Sequence, residues 1–365
     1  MRMRKRLKIT VRLSACVLAI LSLMCDKSPT GPEPAKDPRT YTWTIDTLAY
    51  PGSFQTMMRD IWGSSPNDVY VVGHNDQNRG LMWHFDGKRW TDVRLSTTQG
   101  GTVAGPIDLS AIYGFSANDI WAVGEHISSN PTPPPNFLDS SLIIHFDGVQ
   151  WRESKLPSGR GINDIWGSSP NSIWAAGAAG TLLHYDGTLW TKDSVSNTAS
   201  PDGFYGLAGR SSDVYMLGVT YQNSVPREIY YFFGRESGAW SLIDTAVVEP
   251  GNIQNKWGYS TLWLSPSGTL YSADAGVFRW NGISWIKIFE SQASLGGVFG
   301  TSDNSFFAVG HFGTLLHYNG LDWAQFKDLQ YPSVVYRAGW TDGKEVIIVG
   351  TTNEYPQKTL ILTGK

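Results

Sequence analysis

The chain has 365 residues, a formal net charge of −3 and two cysteines, Cys16 and Cys25. This length is enough to bury a large core, and a slightly acidic balance disfavours nucleic acid as a partner. Because both cysteines precede the predicted folded region, disulfides and thiolate metal sites are excluded there.

Residues 1–24 are predicted to be a signal peptide. Six Lys and Arg residues lead into a largely apolar run over residues 13–24, which is too short to cross a bilayer as a helix but suits a signal-peptide core. The run ends at Cys25. This arrangement resembles a bacterial lipoprotein signal, which implies that Cys25 is lipidated and becomes the mature N-terminus. Plain secretory cleavage and an uncleaved anchor are the alternatives.

Residues 25–40 are predicted to form a tether. Pro29, Pro32, Pro34 and Pro38 favour an extended chain of roughly 45 Å at ~3 Å per residue. Cleavage before Cys25 leaves 23 basic against 32 acidic residues, so the mature net charge becomes −9. We therefore expect a bacterial cell-envelope lipoprotein, periplasmic or surface-exposed, with its folded part held off the membrane by the lipid anchor.

Residues 41–365 contain an internal repeat marked by tryptophan. Its tryptophans are spaced by 47, 61, 39, 50, 45 and 38 residues, a period typical of a stacked or circular array. Five of them close a segment that reads aromatic, Asp or Asn, Gly, two residues, Trp. The Asp-Gly and Asn-Gly pairs predict hairpin turns, because both central residues of a type I′ turn need positive φ. The repeated tryptophans are Trp43, Trp90, Trp151, Trp190, Trp240, Trp285 and Trp323.

A second pattern recurs upstream of each turn. Residues 61–73 and 165–177 begin with the same six residues, Ile-Trp-Gly-Ser-Ser-Pro, and looser copies occupy 112–124, 204–218, 262–274, 298–310 and 338–350. Each copy holds two β-branched and aromatic runs around a polar turn, which predicts two antiparallel strands. A third strand precedes the Gly-containing turn and a fourth begins at the tryptophan. Four strands in ~45 residues are typical of one propeller blade.

The copy count predicts an all-β, seven-bladed β-propeller with four antiparallel strands per blade. The last copy supplies only three strands, whereas residues 42–45 look like a fourth strand without a blade of its own. Pairing this N-terminal strand with the C-terminal blade closes the ring and removes both exposed edges. Six or eight blades are the alternatives if one weak copy is miscounted.

The repeat resembles that of bacterial secreted and lipoprotein β-propellers, W-G-S-S-P-x-D-V-W-A-V-G followed by G-T-x-L-H-Y-D-G-x-x-W. The resemblance covers about residues 41–365 and implies the propeller architecture. The turn is also distantly similar to the Asp-box turn of sialidases, Ser-x-Asp-x-Gly-x-Thr-Trp.

Two recurring sets of side chains are interpreted as structural. His84, His145, His184 and His317 share one position on the third strand, where different blades hold them too far apart to ligate one ion at ~2 Å. We expect them to make hydrogen bonds such as one to a neighbouring blade, and we predict no metal and no cofactor. An aromatic set on the first strands is expected to pack between blades; it comprises Trp62, Tyr113, Trp166, Tyr205 and Trp263.

Insertions distinguish the two ends of the propeller. They follow the second strand, as at residues 125–141 and 219–228, or the fourth, as at 93–109 and 242–259. Both connections open on the same end of an antiparallel blade, which we call the elaborated face. Binding usually resides in such loops. We predict ligand-binding residues there: Arg59, His74, Glu125, His126, Asn163, Asp202, Trp257, His311 and Arg337, with Trp257, Tyr221 and Tyr355 as exposed aromatics.

Two functions are compatible with these patterns. The first is a monomeric, non-catalytic scaffold, tethered to the membrane, that binds a protein or glycan of the cell envelope. No nucleophile-elbow, Walker, zincin or calcium-loop motif occurs. The second is a sialidase-like or lyase-like glycan-cleaving enzyme, in which Arg59, Arg160 and Arg337 converge on a substrate carboxylate beside a Tyr-acid pair. An arginine cluster with a Tyr-Glu pair in one pocket favours the enzyme.

Overall fold

A computed structural model describes residues 36–195, 201–222, 227–236, 238–249, 256–259 and 261–365. Residues from Lys36 to Lys365 belong to one compact unit. The predicted signal peptide, Cys25 and most of the predicted tether lie outside the described residues. Within the described ranges, no helix has the length and apolar character needed to cross a membrane.

The unit is built of seven four-stranded antiparallel sheets, as predicted. Blade 1 comprises β2 (Thr56–Ser65), β3 (Asp68–Asn75), β4 (Met82–Phe85) and β5 (Trp90–Asp92); blade 2 comprises β6 (Ile107–Ser116), β7 (Asp119–Ser129), β8 (Phe137–Phe146) and β9 (Trp151–Glu153); blade 3 comprises β10 (Ile162–Ser169), β11 (Ser172–Gly177), β12 (Leu182–Tyr185) and β13 (Trp190–Lys192). Blade 4 comprises β14 (Gly203–Arg210), β15 (Asp213–Gln222), β16 (Arg227–Glu236) and β17 (Ala239–Val248); blade 5 comprises β18 (Leu262–Leu264), β19 (Leu270–Ala273), β20 (Gly276–Trp280) and β21 (Trp285–Glu290); blade 6 comprises β22 (Leu295–Ser302), β23 (Ser305–Gly310), β24 (Thr314–Tyr318) and β25 (Trp323–Gln325). Four short 3-10 helices lie at Pro38–Thr40, Thr97–Gln99, His311–Gly313 and Lys327–Leu329.

Blade 7 closes the ring as the sequence predicts. It comprises β26 (Val334–Thr341), β27 (Val346–Thr352) and β28 (Thr359–Gly364), and its outer strand is β1 (Trp43–Leu48). β1 pairs with β28 along its whole length, from Trp43 opposite Gly364 to Leu48 opposite Thr359. The first and last strands of the propeller therefore meet in one sheet, and no blade is left with three strands.

The Trp-Gly pairs of the repeat join neighbouring blades. A Cβ on Gly114 of blade 2 would lie 2.6 Å from the Trp62 ring of blade 1, and one on Gly209 of blade 4 would lie 2.7 Å from the Trp166 ring of blade 3. Each glycine leaves room for the indole of the preceding blade. The prediction that these aromatics pack between blades is confirmed.

The recurring histidines make their contacts within their own blades, not with a neighbouring blade as we expected. The His84 and His145 Nε2 atoms lie 2.7 Å from the carboxylates of Asp68 and Asp119, which begin the second strands of the same blades. The His145 ring also stacks on Trp121, with centroids 3.9 Å apart. The cause is cross-strand register, because β7 places Trp121 directly opposite His145 on β8.

Part of the insertion at residues 125–141 is regular structure. β7 continues to Ser129 and β8 begins at Phe137, so these strands form a long hairpin that extends beyond the blade. The sequence did not predict this continuation. A projecting hairpin has no core to cover, so its strands lack the alternation of apolar and polar residues by which a strand is recognised.

Candidate binding site at the channel mouth

A central channel is lined by the first strands of all seven blades. Its cavity measures about 490 Å³ and includes Arg59, Asn163 and Arg337 in its wall. Each of these three residues occupies a β-bulge, since the register shifts between Met58 and Asp60, and at the equivalent points of β10 and β26. A bulge turns an extra side chain out of the sheet plane. Here the bulges place the three predicted residues in one cavity.

Arg59 belongs to a charged network that joins blades 1 and 2. Its Nη2 atom lies 3.0 Å from the Asp108 carboxylate, and its Nη1 atom donates to the Leu109 carbonyl at 3.2 Å. The His74 Nδ1 atom lies 3.4 Å from the same Asp108 oxygen. Asp108 is buried, so its charge requires a cationic partner, which the Arg59 guanidinium supplies. The structure thus brings the predicted Arg59 and His74 together on a residue that the sequence analysis missed.

Glu125 lies beside a second ion pair, at blades 2 and 3. The Arg160 guanidinium pairs with Asp139, which also accepts the Gly161 backbone N–H at 2.7 Å. Burial raises the pKa of Glu125, and the nearby negative charges of Asp139 and Asp108 raise it further. The elaborated face is therefore acidic on this side, with its cations already paired.

Arg337 has a different environment. Among the described residues, its only hydrogen-bond partner is the Thr351 hydroxyl, 3.4 Å from Nε, and no carboxylate lies within ion-pair distance. Burial lowers the pKa of Arg337, and the positive charge of Arg59 lowers it further. An uncompensated guanidinium at the channel wall is a potential binding group for an anion.

Two partly buried carboxylates also line the channel. Asp60 accepts the backbone N–H groups of Ile61 at 2.8 Å and Ile112 at 2.9 Å, and Asp164 accepts those of Ile165 and Leu207. Each therefore fastens its own blade to the next. Burial raises the pKa of Asp60 to about 6 and that of Asp164 to about 7, because these hydrogen bonds offset only part of the desolvation.

These pKa values predict that stability falls as pH rises. An unfolded Asp has a pKa of about 3.9, so between about pH 4 and pH 7 these two carboxyls bind more protons in the native state than in the unfolded chain, and their contribution to the free energy of unfolding decreases through that window. The loss at Asp164 is on the order of 4 kcal/mol by pH 8, because its pKa is about 3 units above that of an unfolded Asp. Urea unfolding of the wild type and Asp164→Asn at pH 5, 6.5 and 8 measures it, and a smaller decrease is expected for the variant.

Comparing the wild type with Asp164→Asn isolates the contribution of the Asp164 carboxylate to the pH dependence of stability. Both proteins keep His317, whose shifted pKa changes stability in the opposite direction. Burial lowers the pKa of His317 to about 4, so this residue adds stability as pH rises between about 4 and 6.5. Parallel pH profiles for wild type and variant would contradict the assignment to Asp164.

The remaining predicted residues lie outside the channel. His126 pairs with Glu153 at 2.9 Å on the projecting hairpin. The Asp202 carboxylate accepts the Tyr221 backbone N–H at 2.7 Å, and His311 begins the short helix between β23 and β24. They share the elaborated face with Arg59, but they do not form one pocket with it.

The prediction that the Trp257 side chain is exposed is wrong, because this side chain is fully buried. It packs between blades 4 and 5 against Phe232 and Trp285, with ring centroids 6.3 Å apart in each case. A long polar insertion precedes Trp257, and the sequence did not reveal that the chain returns to the core at this point. Tyr221 and Tyr355 are exposed as predicted.

The groups required by a sialidase-like site are dispersed. Arg59 and Arg337 line the channel, whereas Arg160 pairs with Asp139 outside it. The described residues do contain a Tyr-Glu pair, since the Tyr230 hydroxyl donates to Glu228 at 2.6 Å, but neither residue lines the channel. Burial also raises the pKa of Tyr230, the reverse of what an activated nucleophile needs.

Sequence reasoning missed Asp60, Asp108 and Asp164. A signal for two of them was present, because Arg59-Asp60-Ile61-Trp62-Gly63 and Asn163-Asp164-Ile165-Trp166-Gly167 share an Asp before Ile-Trp-Gly. In the described part of the chain, no group of three or more His, Cys, Asp or Glu side chains is placed to hold a metal ion.

This geometry defines a seven-bladed β-propeller with a partly charged channel mouth and one elaborated face. No protein-family model matches the chain, and comparison with curated proteins finds no match. Solved structures show the fold. YCF48 bound to D1 peptide has a TM-score of 0.59 at 15% identity, with 91% of this chain and 98% of that chain covered.

Two further propellers have comparable similarity. YCF48 from Cyanidioschyzon merolae has a TM-score of 0.58 at 12% identity, covering 87% of this chain and 98% of its own. The WD40 propeller domain of Doa1 has a TM-score of 0.54 at 10% identity, covering 89% and 97%. At these identities the likeness shows the propeller fold and no more.

Proposed function

We propose that this protein is a non-catalytic scaffold that binds another protein through its elaborated face. The observation that carries the proposal is the position of Arg337, a guanidinium without a carboxylate partner among the described residues, at the mouth of a channel ringed by projecting connections. Rigid scaffolds commonly place binding groups on such connections. The similar propeller YCF48 is seen with a D1 peptide, which supports a protein partner.

A binding role is favoured over a catalytic role because the reactive groups are apart. The arginines at the channel lack a nearby Tyr-Glu pair, and the Tyr230 and Glu228 pair lies outside the channel lining. The sialidase-like alternative would need both in one pocket.

We further propose that the scaffold is tethered to an envelope membrane by a lipid on Cys25. The support is the cationic leader, the short apolar run and the proline-rich segment that follows it. Mass spectrometry of the mature N-terminal peptide tests this proposal. A diacylated Cys25 supports it, and a chain cleaved at another residue contradicts it.

The binding function is tested by capture from an envelope extract, with a glycan array run in parallel. A triple variant, Arg337→Gln with His126→Ala and Tyr221→Ala, alters three sides of the elaborated face. The matched control, Val149→Ala with Ile283→Ala and Leu321→Ala, removes exposed apolar residues from turns at the opposite face. We expect a specific protein that the triple variant loses and the control retains.

The other outcomes contradict the proposal. A protein captured equally by both variants would exclude the elaborated face. A glycan bound without any protein partner would favour the glycan-cleaving alternative, and turnover of that glycan would then be measured.

A further inference from the structure

Four aromatic side chains are exposed along one arc of the elaborated face, where blades 6, 7 and 1 meet. Tyr355 is 70% exposed, Phe54 67%, Phe312 56% and Tyr331 36%. All four lie in connections between second and third strands or between blades. We call this set the aromatic arc. Single exposed apolar residues are ordinary, so the significance of the arc depends on how its members are held.

The loop that carries Phe54 is fixed on two sides. The Asp76 carboxylate accepts the backbone N–H groups of Phe54 at 3.3 Å and Gln55 at 3.0 Å. The Phe54 carbonyl accepts the Gln357 N–H at 2.8 Å, which ties this loop to the one that carries Tyr355. Fixed backbones lower the entropy cost of using these rings in binding.

Phe312 is displayed by a strained backbone. Its φ of 58° lies in the left-handed region, which is uncommon for a residue with a bulky side chain. The next residue, Gly313, packs tightly against the connection that carries Tyr331. A Cβ on Gly313 would lie 2.3 Å from the Tyr331 backbone nitrogen. This packing holds Phe312 outward beside Tyr331, although an apolar ring gains nothing from water exposure.

Contact is continuous along the arc. Phe312 adjoins Tyr331 through Gly313, the Ser333 carbonyl accepts the Asn353 N–H at 2.7 Å, and Gln357 bonds to Phe54. Four adjacent connections thus form one surface, whose aromatic members come from different parts of the sequence.

Arg337 lies on the inner side of this surface, at the bulge of β26 in blade 7. The adjoining wall of blade 6 is formed by Gly296 and Gly297, and a Cβ added to Gly296 would meet only the Arg337 carbonyl, at 4.0 Å. The approach to the guanidinium is therefore not blocked by side chains from that wall. Arg59, in contrast, is already paired with Asp108.

We propose that the aromatic arc and Arg337 together bind an extended peptide segment of a partner protein, with apolar side chains on Phe54, Tyr355 and Phe312 and an acidic side chain on Arg337. This inference rests on the proposed function and names the chemistry of the partner. Charge complementarity selects the carboxylate, because Arg337 is a cation that the described residues leave unneutralised. Aromatic residues and arginine are also the groups that dominate binding energy in interfaces.

The test selects peptides from a random phage-displayed library against the full chain. The peptides are joined to the coat protein through their C-termini, so their carboxylates are those of Asp and Glu side chains. We expect enriched sequences that share an acidic residue near an apolar one. Dissociation constants of synthetic, amidated versions are then measured for the wild type and for Arg337→Gln, Phe54→Ala and Tyr355→Ala.

Each of these substitutions is expected to weaken binding about tenfold or more. The control variants Arg152→Gln and Ile283→Ala remove an exposed guanidinium and an exposed apolar side chain elsewhere, and they should leave affinity unchanged. Thermal melts confirm folding, and Arg337→Gln should fold because burial already opposes the charge.

Three results would overturn the inference. Peptides that bind Arg337→Gln, Phe54→Ala and Tyr355→Ala as well as the wild type but are lost on Arg160→Gln would place protein binding at blades 2 and 3, leaving the proposed function intact. Enriched peptides without acidic residues would exclude the role of Arg337. Peptides that bind equally well to every elaborated-face variant would contradict both the inference and the proposed function.

Discussion

A chain that starts at residue 49, and so lacks β1, is expected to lose at least ~5 kcal/mol of unfolding free energy or to aggregate. The deletion removes six residues paired with β28 and the buried Leu48. Lost backbone hydrogen bonds contribute about 1 kcal/mol each, and burial of a large apolar side chain contributes about 2 kcal/mol. β28 would also become an exposed edge able to pair with another molecule.

Urea unfolding and size-exclusion chromatography measure this effect. The control is a chain that starts at Lys36, where the compact unit begins. It retains β1 and the contact of Arg39 with Asp322, 2.7 Å apart, and should unfold like the longer chain. Equal stability of both truncations would show that the three remaining strands of blade 7 close the ring without β1.

Gly124→Ala is expected to destabilise the protein by about 3 kcal/mol or more. Gly124 ends the Trp-Ala-Val-Gly segment of β7, and a Cβ there would lie 1.9 Å from the Asp108 carbonyl oxygen. The clash is with backbone at the bulge of β6, so a rotamer change cannot relieve it. Because Asp108 also holds Arg59, the substitution should disturb the channel mouth as well.

Gly296→Ala is the matched control for this prediction. Gly296 also lies in a strand, but an added methyl would find only one atom, at 4.0 Å. We expect its midpoint of thermal unfolding to stay within a few degrees of the wild type. A similar small change for Gly124→Ala would mean that β6 and β7 can separate at the bulge.

The glycines of the repeat show how a sequence pattern can be correct without its cause being visible. Gly73, Gly177 and Gly310 occupy positions equivalent to Gly124, and in each a Cβ would approach a backbone oxygen at the start of the first strand, or one residue before it, to between 2.1 and 2.3 Å. Sequence analysis recognised the segment and placed two strands there. It did not reveal the bulge that makes glycine necessary, because a bulge depends on the register between strands.

Trp257 and Phe54 show that local sequence does not predict whether an aromatic side chain in a connection is exposed. Both follow a sequence that contains a Pro-Gly pair, yet Trp257 is buried between blades and Phe54 is exposed on a fixed loop. Local composition is similar in the two cases. Burial depends on whether a neighbouring blade offers a space for the ring, which no local pattern describes.

The sequence by itself determined the propeller, the number of blades and the closure of the ring. These follow from features that can be read directly from the order of residues. They are the 38 to 61 residue spacing of tryptophans, the Gly-containing turns and a last copy of three strands that is completed by a lone N-terminal strand. Only the tertiary structure decided which side chains meet. Asp108 joins Arg59 to His74, Arg337 stays without an acidic partner in the described part, and Phe54 adjoins the loop of Tyr355. Such contacts join residues of different blades, far apart in the chain, and they depend on the bulges and on the order of blades around the channel.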